Sequence, residues 1–289
     1  MSEGADEPAE TREKGGVLSA LKGMVSFFTV IRIPVDMKEF DAMERNFWLA
    51  PVIGLLVGVV SFAVCAVLGF LKFNILVLCV FALATPYLFS KFLHFDGLTD
   101  FGDGMICSSG DREKHVRALK DTLVGAGGVG VAIVTIVLTV VLYFQVAADY
   151  ASVAGSGFKS YVLLATVVLV CEVLVKNAQV SAAAFGLPGS GMASRQVSCT
   201  TIKSMVLSTC ISAVAVLGIL ALMEVLNVAS FCIAVPTIAA LLMSVVTGWW
   251  MARTANRNFG FVNGDILGAT NEISRVVVLF TLALVLSVM

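Results

Sequence analysis

The sequence has few charged residues. Asp, Glu, Lys and Arg make up 13% of its 289 residues, whereas ordinary soluble domains have about 25%. Hydrophobic residues make up 58% of the chain, and its mean hydropathy is +0.96. One globular core cannot hide so much apolar material, so most of the chain must face lipid. The composition therefore excludes a soluble enzyme.

The sequence also lacks the signals of a nucleic-acid-binding protein and of a zinc or iron–sulfur protein. Its 19 basic and 20 acidic residues give a net charge of −1, which provides no basic field for nucleic acid. The chain has only two histidines, and its seven cysteines include no CxxC pair. We therefore expect the cysteines to be small apolar packing residues.

Long uncharged stretches predict an all-α polytopic membrane protein. A helix needs roughly 18 apolar residues to cross the hydrocarbon layer, and five stretches are about that long: 49–71, 73–90, 122–148, 204–223 and 225–252. Two weaker candidates are 160–180, which contains Glu172 and Lys176, and 276–289, which has only 14 residues unless it begins before Arg275. The sequence therefore predicts about seven transmembrane helices.

The N-terminal region differs from these stretches. Residues 1–14 are acidic and polar, and we expect a disordered cytoplasmic tail followed by a single integral membrane catalytic domain over 15–289. Apolar residues recur at helical spacing over 17–31 among polar ones, which predicts an interfacial or re-entrant helix rather than a span.

The basic residues predict the orientation of the chain in the cell membrane. Cytoplasmic loops close to membrane helices are enriched in Lys and Arg. With the N-terminus inside and seven spans, Lys72 and Lys159 are the only basic residues assigned outside, and the other 17 lie on or near the cytoplasmic side. The loops at 91–121, 181–203 and 253–275, which hold most of the polar chemistry, are then cytoplasmic.

Three carboxylates follow the second predicted span. Asp96, Asp100 and Asp103 are spaced i, i+4 and i+7, so on a helix they share one face. A hard divalent cation would neutralise such a cluster, and oxygen ligands favour Mg²⁺, which commonly bridges to substrate phosphates. The alternative is a solvated polar loop. His94 lies on the opposite side of the helix, where it is a structural residue or a general base.

Other polar residues have both structural and functional interpretations. The pattern of residues 111–114 predicts a solvated helix. Lys120 and Asp121 lie nearer the membrane, where the lysine could hold a phosphate and Asp121 could add a fourth carboxylate. The glycines at 125–130 indicate close helix packing. Glu172 and Lys176, spaced i, i+4, predict either a local ion pair or a functional site. Asp265 and Glu272 frame a further candidate phosphate-and-metal segment.

Four places in the chain resemble the cobalamin synthase family, the adenosylcobinamide-GDP ribazoletransferases. The first two are Phe27-Phe28-Thr29 with Pro34, and Pro51-Val-Ile-Gly54-Leu-Leu-Val-Gly58. The third and most specific is His94-Phe-Asp96-Gly97-Leu-Thr-Asp100-Phe-Gly-Asp103-Gly104, followed by Lys120-Asp121-Thr-Leu-Val-Gly125-Ala-Gly127. The fourth is Asn263-Gly264-Asp265-Ile-Leu-Gly268-Ala269-Thr-Asn-Glu272. Phe95, Asn263 and Arg275 depart from the family pattern, but none of them removes a carboxylate from the third motif.

This resemblance implies a Mg²⁺-dependent transfer of a phosphorus-containing group. α-Ribazole, or its 5′-phosphate, attacks the phosphate carried by adenosylcobinamide and displaces GMP, which completes the nucleotide loop of the cobamide. The implied site residues fall into three groups. Metal ligands are Asp96, Asp100, Asp103 and Asp265; catalytic candidates are Asp103, Asp121 and His94; substrate-binding candidates are Lys91, Lys120, Arg257, Glu272, Gly97 and Gly104.

Two other functions are alternatives to this transferase activity. A CDP-alcohol phosphatidyltransferase-like lipid enzyme also places an Asp-Gly motif at a membrane edge, but Leu98-Thr99 follows here in place of that family's Ala-Arg. A cation transporter would need carboxylates deep in several spans, and only Glu172 is deep. Expected partners are the two substrates and the lipid bilayer, without nucleic acid; self-association and contact with other cobamide-pathway enzymes stay open.

Overall fold

The computed structural model describes residues 15–107, 110–154, 158–226 and 233–288. The predicted disordered tail, residues 1–14, lies outside the described residues. Within them the chain is helical and contains no β-strand, only an isolated bridge between Pro188 and Val262. The α-helices are α1 (Val17–Phe28), α2 (Met37–Arg45), α3 (Ala50–Phe70), α4 (Ile75–Phe89), α5 (Leu93–Ile106), α6 (Arg112–Leu119), α7 (Ala126–Ala154), α8 (Phe158–Phe185), α9 (Ala193–Cys199), α10 (Ile202–Val225), α11 (Ala234–Asn258) and α12 (Gly264–Ser287).

Six of these helices are long and apolar enough to cross a membrane: α3, α7, α8, α10, α11 and α12. A seventh crossing depends on α4 and α5, which meet at an angle of 96° and form either one broken span or a re-entrant loop. The break occurs at Lys91 and Phe92, whose φ angles of 56° and 57° are left-handed. The predicted all-α membrane fold with about seven spans is confirmed.

The last span begins well before the position that hydropathy indicated. Its first helical residue is Gly264, and the side chain of Asn263 accepts a hydrogen bond from the Ile266 amide at 3.1 Å, which caps the helix. Residues 264–275 therefore belong to α12, and the last span begins before Arg275, which is the alternative that the sequence left open. Arg275 consequently lies inside the helix, where it is buried.

Helix α8 forms the centre of the bundle. It packs against α3, α10, α11 and α12, and its residues are buried from Leu163 to Ala183. A span that other helices cover on all sides can carry polar side chains, because these can find partners away from lipid. This position explains why α8 contains Glu172, Lys176, Asn177 and Gln179.

Helices α1 and α2 pack on each other beside the start of α3. Met24 and Phe28 bury one side of α1, and α1 is too short to span a membrane. Arg195 of α9 forms salt bridges with two residues of α2, Asp41 at 2.5 Å and Glu44 at 3.6 Å, and so connects α2 to the bundle. The N-terminal helices are therefore part of the folded domain.

The three predicted loops meet at one end of the bundle. The Lys120 amino group donates to the Ser190 hydroxyl at 3.3 Å, and the Val262 amide donates to the Leu187 carbonyl at 2.7 Å. Because these contacts join α6, the 186–191 loop and the start of α12, the polar chemistry lies at one end of the molecule.

Candidate active site

A cavity of about 610 Å³ opens at this end of the bundle, between the N-terminal helices and the helices α5, α9 and α12. One wall is apolar and the other is polar. The apolar wall comprises Phe27, Phe28, Met37, Phe40, Met43 and Phe47. The polar wall includes His94, Asp96, Gln179, Gln196, Asn263 and Asp265. Such a cavity suits a ligand with one apolar end and one polar end.

The polar wall brings together Asp96 and Asp265, which are 169 residues apart in the chain. The two helices approach closely because residue 97 is glycine: a Cβ atom at this position would lie 2.7 Å from the carbonyl oxygen of Asp265. The Asn263 amide donates to Asp265 Oδ2 at 2.7 Å and so fixes its carboxylate. Two of the four predicted metal ligands therefore face one cavity.

Asp100 and Asp103 follow on the same face of α5, as their spacing predicted. The charges of Asp265, Asp96 and Asp103 all act on the half-buried Asp100 carboxyl group. Asp103 is bonded differently, because its two oxygens accept from the amides of Gly125 at 2.6 Å and Gly128 at 2.8 Å. Asp103 therefore holds the beginning of α7, where a carboxylate is favoured by the helix dipole and the free amides.

Asp121 lies apart from the cavity that Asp96 and Asp265 face. Together with Asp103 it lines a more open depression of about 390 Å³. One of its oxygens accepts from the Leu123 amide at 3.0 Å. The predicted carboxylates are thus divided between two neighbouring concave surfaces. Asp96 and Asp265 face the cavity, Asp103 and Asp121 face the depression, and Asp100 lies near both Asp96 and Asp103.

The donor set agrees with Mg²⁺ in chemistry, since carboxylate oxygens are the ligands that this ion prefers. Within the described ranges, however, no three His, Cys, Asp or Glu side chains are already arranged as a metal-binding group. Asp103 has both oxygens occupied by backbone amides. A magnesium site on Asp96, Asp100, Asp103 and Asp265 therefore stays a prediction, and Asp103 is the member of this set whose two oxygens already have partners.

Comparison with known proteins decides the family. A family model described as cobalamin-5-phosphate synthase matches residues 20–283. The chain belongs to this family. Three relatives named adenosylcobinamide-GDP ribazoletransferase come from Methanocella arvoryzae, Methanococcoides burtonii and Methanosarcina barkeri, with identities of 31%, 27% and 29%. The matches cover 94%, 94% and 93% of this chain and 98%, 94% and 93% of the relatives.

As a member of the cobalamin-5-phosphate synthase family, the chain is a transferase of cobalamin biosynthesis. No solved structure matches it.

The structure places the three predicted substrate-binding cations at separate positions. Lys120 lies beside Ser190 in the glycine-rich loop, and its amino group is 5.6 Å from the centre of the Phe261 ring. Lys91 is exposed at the break between α4 and α5. Arg257 is exposed near the end of α11, where its carbonyl accepts from Arg112 at 3.3 Å. Of the three, Lys120 lies close enough to Asp265 for their charges to interact.

The two predicted glycines of the family motif serve helix packing. Gly97 faces the backbone of Asp265, as described above. A Cβ atom at Gly104 would lie 2.8 Å from the Phe259 ring, so this glycine lets α5 approach the end of α11. The role of both glycines in substrate binding stays a prediction.

A buried polar network lies beneath the cavity. The Lys176 amino group contacts His94 Nε2 at 2.9 Å and donates to Asn271 at 2.8 Å and Gln179 at 3.1 Å. His94 also stacks on Phe28, with ring centres 6.0 Å apart and planes 6° from parallel. Lys176 thus connects α8 with both helices that carry the aspartates.

The second part of the network corrects a prediction. Glu172 forms its ion pair with Arg275 rather than with Lys176. Arg275 also contacts Glu272 at 3.4 Å, and Glu272 accepts from the Tyr87 hydroxyl at 2.9 Å. Glu272, a predicted substrate-binding residue, is therefore placed in a buried structural network, where its exposed fraction is 1%.

Sequence reasoning did not find several residues of the cavity. Gln179 and Gln196 line its polar wall, and Phe40 and Met43 of α2 line the apolar one. The i, i+3 spacing of Phe40 and Met43 signals an apolar face on an otherwise polar helix. Glu44 lies at the same rim, and burial raises the pKa of this carboxyl group above its usual range, although the nearby Arg195 opposes the shift.

Proposed function

We propose that this chain transfers the phosphate-bearing cobinamide of adenosylcobinamide-GDP to α-ribazole, or to its 5′-phosphate, with release of GMP. The observation that carries the proposal is the pair of carboxylates, Asp96 and Asp265, facing a cavity with one apolar wall in a member of the cobalamin-5-phosphate synthase family. The relatives bear the name of this activity.

The proposed reaction makes one bond and breaks one. A ribose hydroxyl oxygen of α-ribazole bonds to the phosphorus attached to cobinamide, and the bond from that phosphorus to the oxygen bridging to GMP breaks. The hydroxyl proton passes to a carboxylate of the site and then to solvent, and the electron pair of the broken bond leaves with GMP. Positioned carboxylates and cations suit this chemistry, because phosphoryl transfer depends mainly on alignment and charge stabilisation.

We assign Mg²⁺ binding to Asp96, Asp100 and Asp265. When bound, Mg²⁺ would act as a Lewis acid on phosphate oxygens. Asp103 holds the start of α7 through the amides of Gly125 and Gly128, and so fixes α5 against α7. Lys120 is the cation best placed to contact a phosphate, since it contacts Ser190 and its charge acts on the Asp265 carboxylate.

We further propose that the site faces the cytoplasm of the cell that carries this protein in its plasma membrane. The basic residues support this orientation, because Lys120, Arg195 and Arg257 all lie at the end of the bundle that holds the cavity.

The test uses purified protein in detergent or liposomes with adenosylcobinamide-GDP, α-ribazole and Mg²⁺. Chromatography follows the formation of GMP and cobamide. Wild type should form both in equal amounts, whereas Asp100→Ala should form neither while remaining folded. Glu113→Gln, an exposed acid on α6, is the matched control and should retain activity.

Folded wild-type protein that releases no GMP and forms no cobamide would contradict the proposal. CDP-alcohol substrates would then be tried, because the alternative lipid enzyme also places carboxylates at the membrane edge.

A further inference from the structure

One polar group in the cavity wall lacks a partner. Gln196 is 5% exposed and lines the cavity, and its amide Nε2 has no hydrogen-bond partner in the part of the chain that the structure describes. An unpaired buried amide donor is unfavourable. Its position therefore indicates that an acceptor atom of a ligand completes the cavity at this point.

Aromatic side chains form the wall contributed by α1 and α2. The rings of Phe27 and Phe40 meet edge to face with their centres 6.5 Å apart, and those of Phe28 and Phe47 are stacked at 6.4 Å. Clustered ring faces and edges of this kind favour a planar aromatic ligand. Base–aromatic stacking is also tolerant of the base's identity.

The volume of the cavity suits only one of the two substrates of the proposed reaction. A volume of about 610 Å³ lies within the range of roughly 300–1,000 Å³ that holds a drug-sized ligand. A riboside with a two-ring base is of this size. A corrinoid that carries a nucleoside diphosphate is far larger and could enter only in part.

We propose that this cavity is the subsite for the aromatic base of the acceptor riboside, and that Gln196 donates a hydrogen bond to the unsubstituted ring nitrogen of that base. The inference rests on the proposed function. Benzimidazole presents one acceptor nitrogen and an otherwise apolar surface, which matches one unpaired donor among aromatic side chains. The ribose is then directed to Asp96 and Asp265 on the polar wall.

Guanine, the aromatic base of the other substrate, fits this wall less well. Its edge carries several N–H groups that need acceptors. Glu44 could accept from them, but the Arg195 guanidinium already contacts its carboxylate at 3.6 Å. The apolar residues Met37, Phe40 and Met43 surround the rest of the wall.

The first experiment compares α-ribazole with its indole analogue, in which the ring nitrogen is replaced by CH. Wild type should favour α-ribazole in kcat/KM by roughly threefold to tenfold, the effect of one neutral hydrogen bond. Gln196→Leu should lose this preference. Its KM for adenosylcobinamide-GDP should change by less than about twofold, because that substrate does not contact Gln196 in the proposal.

The second experiment tests the aromatic wall. Phe40→Ala should raise the KM for α-ribazole roughly tenfold, the loss expected when a side chain that stacks on a base is removed. Phe81→Ala is the matched control, since Phe81 is an exposed phenylalanine on α4, away from the cavity. Equilibrium dialysis of α-ribazole against the detergent-solubilised proteins measures the same affinities without turnover.

The outcomes separate this inference from the proposed function. A wild type that forms no cobamide contradicts the function, and the dialysis still decides whether the cavity binds α-ribazole. If wild type is active but Phe40→Ala raises the KM for adenosylcobinamide-GDP alone, the cavity holds the nucleotide and the inference is wrong. An unchanged KM for both substrates, or an indole preference unaffected by Gln196→Leu, also overturns it.

Discussion

The amino group of Lys176 lies 2.9 Å from Nε2 of His94, although 82 residues separate them in the chain. This contact joins the central helix α8 to α5, the helix that carries the three aspartates. Lys176 also holds Asn271 of α12. Lys176 therefore helps to position α5 relative to α12, together with the close approach of the two helices at Gly97.

Replacing Lys176 should weaken the fold more than replacing an exposed lysine of the same helix. Lys176→Met leaves three buried acceptors without their donor, and each unsatisfied group costs about 1–3 kcal/mol. Thermal unfolding in detergent should show a clearly lowered midpoint, and activity should fall at temperatures where the variant is still folded. Lys159→Met, on an exposed position of α8, should unfold like wild type; equal midpoints for the two variants would contradict this role.

Arg275 should be the residue whose loss harms the membrane domain most. Arg275→Met leaves Glu172 and Glu272 as buried charges without their cation, and breaking a buried ion pair in this way costs about 3–5 kcal/mol. We expect a severe loss of folded protein, measured by size-exclusion chromatography. Adding Glu172→Gln and Glu272→Gln to this variant should restore part of the yield; no restoration would argue against a charge effect.

Two glycines near the start of α7 should respond oppositely to alanine. A Cβ atom at Gly128 would lie 2.5 Å from the Thr99 carbonyl, whereas one at Gly130 would meet no atom within 4 Å. Gly128→Ala should destabilise the protein by about 1–3 kcal/mol through overpacking and also disturb Asp103. Gly130→Ala should be neutral or stabilise it by up to about 1 kcal/mol, because alanine favours the helix. The midpoint of thermal unfolding distinguishes the two, and similar shifts would be inconsistent with close packing of α5 on α7.

Removal of divalent cations should abolish the transfer. Chelation by EDTA followed by buffer exchange should stop GMP release, and Mg²⁺ should restore it, since Asp96, Asp100 and Asp265 are the proposed ligands. Asp265→Asn should need a higher Mg²⁺ concentration for half-maximal activity, whereas the exposed control Glu113→Gln should not. Full activity after chelation would exclude the metal from the reaction.

The location of residue 289 should reveal whether α4 and α5 cross the membrane. With a cytoplasmic N-terminus, seven crossings place residue 289 outside and six place it inside. Fusing alkaline phosphatase at this position should give an active enzyme if the count is seven, and a fluorescent protein fused there should then stay dark. The opposite pattern would indicate that α4 and α5 form a re-entrant loop.

Local spacing predicted the carboxylate helix correctly. Asp96, Asp100 and Asp103 are spaced i, i+4 and i+7, which places them on one face of a helix. Their common face on α5 therefore followed from the sequence alone. What each oxygen contacts did not follow. The amides that bind Asp103 belong to Gly125 and Gly128 of another helix, and only the packing of α5 on α7 brings them together.

Interactions between distant residues limited the rest of the prediction. A local ion pair between Glu172 and Lys176 was one of two interpretations of their spacing. The cation that pairs with Glu172 is instead Arg275, which lies 103 residues after it, and no local pattern connects the two. The start of α12 was left open for a different reason. Hydropathy marks only the apolar residues after Arg275, whereas the Asn263 side chain caps the helix 12 residues earlier. Likewise, Lys91 and Phe92 break the helix without a glycine or proline to mark the position.

The buried ion pair of Glu172 also bears on how the protein is made. Helix α8 enters the bilayer during synthesis before Arg275 exists, so Glu172 must wait for its final partner until the last helix is translated. Lys176 is the nearest cation in sequence and can neutralise Glu172 from one turn away during that interval. In the complete fold Arg275 pairs with Glu172, and Lys176 contacts His94 and Asn271. Assembly of the site is therefore completed only when the end of the chain has been inserted.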